Sequence, residues 1–180
     1  MRFRLTAAGA GIGLCLAALT LPSSAQASAD YAGFQSSVPY TVYEPYQTFS
    51  MPRTALDLSL VCDSPGQPQA TLRSVYKSPG KKIKLYQSTY GCLGQGTAYA
   101  PIVYTSFPVQ SGAGTANVYP ACYTQLQCEF PTNATIRTRG ARVRVTLTGQ
   151  GGHTPTVVDV YTTGISVSQI KQFVWSLGLA

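Results

Sequence analysis

Residues 70–88 read ATLRSVYK-SPG-KKIKLYQS and alternate polar with apolar side chains on both sides of a Ser-Pro-Gly break. A period of two is a strand signal, and the Pro-Gly order suits a tight turn. Leu72 and Tyr76 share one face, and Ile83 and Leu85 lie opposite Lys82 and Lys84. The segment therefore reads as a β-hairpin with one apolar face and one wet, lysine-bearing face that discourages edge pairing. A lone hairpin is not stable in water, so the rest of the chain must extend it into a sheet.

Further strand candidates supply that sheet. ALDLSLVC places Leu56, Leu58 and Leu60 on one face, and RVRVTLTG alternates Val143, Val145 and Leu147 with Arg142, Arg144, Thr146 and Thr148. PIVYTSFPV, TANVY, ATIRTR and a last strand, TVVDVY, are expected to join them. The opening stretch from Tyr31 to Arg53 is aromatic and proline-punctuated, and is expected to run extended with VPYTVY as the first strand. GCLGQGTAYAP, QGGHTP and PACYTQLQCEFPT read as loops or irregular segments.

The period changes at the C-terminus. Ile170, Phe173, Val174 and Leu177 stand at helical spacing, Ser166 and Gln169 form a capping box, and Ile165 and Ile170 occupy the staple positions. Gly178 is placed to end the helix. So short a helix needs tertiary support, and its apolar stripe must pack on a sheet face. The fold class is mainly β: a twisted antiparallel sheet of roughly six to eight strands, half-barrel or sandwich, with one short C-terminal α-helix packed on it.

The ends and the cysteines place the chain outside the cytoplasm. MRFR, an apolar run rich in Gly and Ala, and PSSAQASA form a signal peptide over residues 1–29, with cleavage expected after Ala27 or Ala29. Cys15 lies within the run and leaves with it. Residues 30–180 are then a single disulfide-bonded β domain, with no transmembrane segment after processing. Arg2 and Arg4 also leave, so 11 of the 13 basic residues remain against 6 acids, and the net charge falls from +7 to +5. That excess permits anionic partners.

Cys62, Cys92, Cys122 and Cys128 are an even set in an exported chain and read as two disulfides, with three connectivities open and Cys62–Cys92 with Cys122–Cys128 favoured. A loop the size of Cys62–Cys92 is worth ~3 kcal/mol in the chain-entropy model. A zinc site would need paired close spacings and more than the single histidine, His153, so no metal and no cofactor are expected.

The order VYEPY, alternating strand, hairpin ending in LYQS, and final strand running into TTGISVSQIKQFVWSL resembles small extracytoplasmic bacterial domains of the lipoprotein-carrier-like superfamily. The resemblance implies a non-enzymatic half-barrel whose concave apolar face holds a lipid or a hydrophobic partner segment. Burial of Phe173, Val174 and Leu177 in that concavity would argue against a lipid. The chain has less helix than such carriers, and its four cysteines have no counterpart in the resemblance.

No catalytic constellation emerges. His153 follows two glycines, and the acids Asp30, Glu44, Asp57, Asp63, Glu129 and Asp159 are scattered. GQGT and GQGG are not followed by a helix that could face a phosphate. Tyr31, Tyr40, Tyr43 and Tyr46, with Tyr86, Tyr90, Tyr99 and Tyr104, suit strand faces with their hydroxyls at the water's edge.

The strongest binding signal is RTRGARVR. If Gly140-Ala141 is a two-residue turn, Arg139 faces Arg142 and Arg137 faces Arg144, a ladder of like charges that an anion or acidic partner would relieve; a single bulged strand would ease the crowding. The expectation is a secreted, periplasmic or cell-surface, non-catalytic domain that binds a hydrophobic or envelope-associated ligand. The partner would be a lipid, an anionic envelope polymer or another exported protein, not a nucleic acid. A structural or adhesive surface domain and a small hydrolase are the alternatives.

Overall fold

The computed structural model describes residues 30–59, 63–64, 67–68, 70–89, 103–109, 114–121 and 131–180. The signal segment, the proposed disulfide cysteines Cys62, Cys92, Cys122 and Cys128, and Tyr90 and Tyr99 lie outside the described residues.

The protein is built on a seven-stranded antiparallel sheet in the order β2-β5-β6-β10-β9-β8-β7. The strands are β2 (Arg53–Ser59), β5 (Thr71–Ser78), β6 (Lys81–Ser88), β7 (Thr105–Pro108), β8 (Thr115–Pro120), β9 (Ala141–Leu147) and β10 (Thr156–Thr163). Two small ribbons accompany it: β1 (Tyr43–Pro45) with β11 (Leu177–Leu179), and β3 (Asp63–Ser64) with β4 (Gln67–Pro68). The sheet does not close into a barrel. No helix among the described residues is long and apolar enough to cross a membrane.

The hairpin β5–β6 forms as its alternation requires, pairing Ser78 with Lys81 around Pro79-Gly80, with Gly80 at φ 69°. Leu72, Tyr76, Ile83 and Leu85 point inward and are buried. The inward residues of β8, β9 and β10 are buried as well, and in β5 and β6 only Ser78 and Lys81, beside the turn, are partly exposed. Toward the β2 edge the cover thins, and Leu58 is 40% exposed.

Two elements cover the inner face. The C-terminal helix runs from Val167 to Trp175 with the capping box present at Ser166 and Gln169. It buries Ile170, Phe173 and Val174, and Phe173 meets Tyr76 of β5 edge-on at 6.1 Å. Ser176, not Gly178, caps this helix; Gly178 lies in β11, where a Cβ would come within 2.4 Å of the Tyr46 ring. TVVDVY is accordingly not the last strand.

The N-terminal segment is the second cover, and it is not simply extended. Tyr31–Phe34 is a helical turn, capped by Asp30 Oδ1 accepting from the Gly33 N–H at 2.8 Å, and a 3-10 turn follows at Gln35–Ser37. VPYTVY contributes an isolated bridge at Tyr40 and then β1. Buried side chains bind this segment to the sheet, through its backbone at Tyr43 and through its own phenols at Tyr31 and Tyr40. Gln87 accepts from the Tyr43 N–H and donates to the Tyr43 carbonyl, at 2.8 and 2.7 Å. Tyr40 Oη accepts from the Leu72 N–H, and Tyr31 Oη donates to Ser74 Oγ at 2.6 Å.

ATIRTR, expected as a strand, is a helix from Asn133 to Arg139. Thr132 Oγ1 caps it by accepting from the Thr135 N–H, and Gly140 ends it at φ 100°. Gly140 also packs so closely on β10 that a Cβ would sit 2.1 Å from the Thr162 carbonyl oxygen. A helix-start signal, Pro-Thr-Asn, and a helix-stop glycine outweigh a short alternation that holds a single buried apolar residue, Ile136.

Burial raises the Tyr31, Tyr40, Tyr43 and Tyr76 phenols above the ordinary value of 10.0, Tyr40 to about 12. The unfolded chain therefore releases these protons at lower pH than the folded one. Their stabilising contribution is complete below pH 10 and is lost as pH rises above it. In an alkaline titration, phenolate absorbance from these tyrosines should appear together with loss of near-ultraviolet circular dichroism. Their titration near pH 10 in a chain that keeps its native spectrum would contradict their burial.

Candidate binding surface on the outer sheet face

The outer face of the sheet places side chains from successive strands in register. One row runs Asp57 (β2), Arg73 (β5), Tyr86 (β6), Asp159 (β10), Arg144 (β9), Asn117 (β8). The next row is Val75, Lys84, Tyr161, Arg142, Tyr119, and Lys77 pairs with Lys82 nearer the hairpin turn. Neighbouring strands lie roughly 4.8 Å apart, so each row forms a nearly continuous line of side chains, polar or aromatic at every position but Val75.

Asp159 organises the centre. It projects to the outer face, yet it is 0% exposed, because two arginines cover it. Arg144 forks onto it, Nε donating to Oδ1 at 2.9 Å and Nη2 to Oδ2 at 2.8 Å, and Arg142 Nε donates to Oδ1 at 3.0 Å. A fork of this kind is among the stronger charge-assisted contacts, and it allows a carboxylate to be buried that could not be buried alone. The Asp159 carboxylate holds the Arg144 guanidinium above its ordinary range, while burial opposes it. Arg142 lies 5.9 Å from the centre of the Tyr119 ring.

The surround is aromatic and cationic. Tyr86 and Tyr161 meet edge to face at 5.6 Å, and Arg73 forks onto Asp57 with bonds of 3.0 and 2.7 Å. Among the described residues, this face carries Arg73, Lys77, Lys82, Lys84, Arg142 and Arg144 against Asp57 and Asp159, and both carboxylates are already engaged by arginine. The excess is felt at Lys84. Burial pushes its ammonium below the ordinary value of 10.5, and the nearby Lys82 and Arg73 charges push it further.

The predicted arginine site divides in two. Arg137 and Arg139 are in the last turn of the Asn133–Arg139 helix, while Arg142 and Arg144 point outward from β9. There is no hairpin at Gly140-Ala141, so Arg139 does not face Arg142 and Arg137 does not face Arg144. The cross-strand neighbours of Arg142 are Tyr161 and Tyr119, and those of Arg144 are Asp159 and Asn117. The anion that relieves Arg142 and Arg144 is supplied by the chain itself. Asp159 was legible only as one scattered acid; the signal was its place at an outward position between Val158 and Val160.

His153 stands after the Gly151-Gly152 turn with Nδ1 3.3 Å from Gln35 Nε2. Among the described residues no serine hydroxyl or carboxylate hydrogen-bonds to its ring, and no group of three His, Cys, Asp or Glu is placed to hold a metal. Tyr31, Tyr40 and Tyr43 are buried in the core, whereas Tyr46 is exposed and Tyr86 and Tyr104 are half-buried. No family model, curated protein or solved structure matches the chain.

Asp159→Asn should remove the charge that balances two partly covered guanidiniums. It is expected to cost about 2–4 kcal/mol, the upper part of the range for a broken buried pair being reduced by the solvent exposure of Arg144. Urea unfolding should show a lower midpoint at unchanged slope. Arg139→Ala, a helix-surface change, should stay within about 0.5 kcal/mol of wild type. Equal midpoints for wild type and Asp159→Asn would show that the carboxylate does not anchor this face.

Proposed function

We propose that the chain is an exported, non-catalytic β domain that binds an anionic partner of the cell envelope through the outer face of its sheet. The observation that carries this reading is the uncompensated charge of that face. Its two acids are consumed by arginines within the fold, leaving Lys77, Lys82 and Lys84 with no carboxylate partner among the described residues. Half-buried tyrosines lie between the cations and offer flat, amphipathic contact area.

A lipid in the concave face is the weaker version of the same idea. Phe173, Val174 and Leu177 are 0%, 0% and 1% exposed, so the chain's own helix and the strand after it occupy the ground a lipid would need. A polar, cationic surface instead suits an acidic polymer, with attraction that salt weakens.

The test is retention on isolated cell-wall material and on immobilised acidic polysaccharide at two salt concentrations. Wild type should be retained at low salt and released at high salt. Lys77→Gln/Lys82→Gln/Lys84→Gln, which leaves the Asp159 cluster intact, should weaken retention about tenfold or more, a difference of ~1.4 kcal/mol. Retention unchanged by the triple substitution would sink the outer-face reading.

A further inference from the structure

The cationic surface does not stop at the hairpin end of the sheet. There the Pro79-Gly80 turn, the Asn133–Arg139 helix and the start of the C-terminal helix enclose an open groove of ≈ 810 Å³. Lys81 and Arg137 line it, along with Thr138 and Thr163. Its floor is tight backbone packing: Gly164, at φ 72°, lies so close to the turn that a Cβ would come within 1.9 Å of the Gly80 carbonyl oxygen. A second groove of ≈ 440 Å³ shares Asn133 and Ser166 with the first and carries on past Ser168 to Lys171.

Two contacts join these grooves to the outer face. Thr163 lines the first groove and is also the cross-strand neighbour of Lys82, an outer-face lysine. Lys81 in the groove is the next residue to Lys82. No carboxylate among the described residues lines either groove, and neither Lys81 nor Arg137 has an ion-pair partner there. Lys171 lies over the Trp175 ring at 4.2 Å, a contact that holds the ammonium in place without neutralising it.

We propose that the outer face and the two grooves form one continuous track for a linear, negatively charged glycan, with Lys82 and Lys84 binding one stretch and Lys81, Arg137 and Lys171 the next. This rests on the anionic-partner reading above and adds the ligand's form, a chain long enough to turn over the end of the sheet. The lining favours a sugar polymer over a bare polyphosphate. Between the cations stand Asn133, Thr138, Thr163, Ser166 and Ser168, groups suited to sugar hydroxyls. Two cationic stretches joined in space make the second contact intramolecular once the first has formed, so affinity must depend on ligand length.

The experiment measures binding of di-, penta- and decagalacturonate by calorimetry at low salt, using protein purified without reductant. Wild type should bind the decamer at least about tenfold more tightly than the pentamer, beyond the statistical gain from repeated units. Lys81→Gln/Arg137→Gln should flatten that rise toward the value expected from repeated units alone, whereas Lys82→Gln/Lys84→Gln should weaken every length. A circular dichroism spectrum matching wild type confirms that each variant is folded.

A Lys81→Gln/Arg137→Gln variant with wild-type length dependence overturns the track but leaves outer-face binding standing. Absence of binding by every oligomer overturns both readings. Tighter binding of a decathymidylate than of the decagalacturonate overturns the glycan assignment.

Discussion

Asp159 is a carboxylate at the middle of a seven-stranded sheet, with no solvent exposure, and the outer face depends on how its charge is met. β10 lies between β6 and β9, so whatever stands at Asp159 is flanked on both sides. Arg142 and Arg144 reach it because outward residues on β9 alternate past it in register. Their contacts fix one negative charge beneath two positive ones, and the surplus is turned toward solvent. The arginines are thus structural first, and what remains for a partner is the positive field they help create.

The inner face explains why binding is proposed for the outer one. The C-terminal helix and the N-terminal segment both lie against it, and they are held by different means. The helix contributes Ile170, Phe173 and Val174, an apolar stripe whose burial is non-directional. The N-terminal segment is held by polar side chains saturating its backbone, most directly Gln87 with both hydrogen bonds to Tyr43. Such directional contacts set the position of an irregular segment that has few strand partners.

Strong local periodicity proved sufficient for the hairpin β5–β6, for β9 and for the C-terminal helix with its capping box. Each carries enough residues of one period, or enough cap chemistry, to outweigh alternatives. The same reasoning misread ATIRTR. Its alternation was short, and the competing signals were a capping threonine, Thr132, and the terminating Gly140. The opening tyrosine-rich segment was misread for a related reason, since Asp30 caps a helical turn too short to leave a periodic trace.

The chain's local pattern determined which residues alternate, where a helix starts and which side of each strand is wet. It placed Lys82, Lys84, Arg142 and Arg144 on solvent faces, and it marked the chain as poor in acids. Only the tertiary structure decided that Arg142 and Arg144 share Asp159, fifteen or more residues away in sequence, and that Arg137 belongs to a groove. Strand order and register are long-range choices settled by burial of the whole inner face. No short window of sequence contains them.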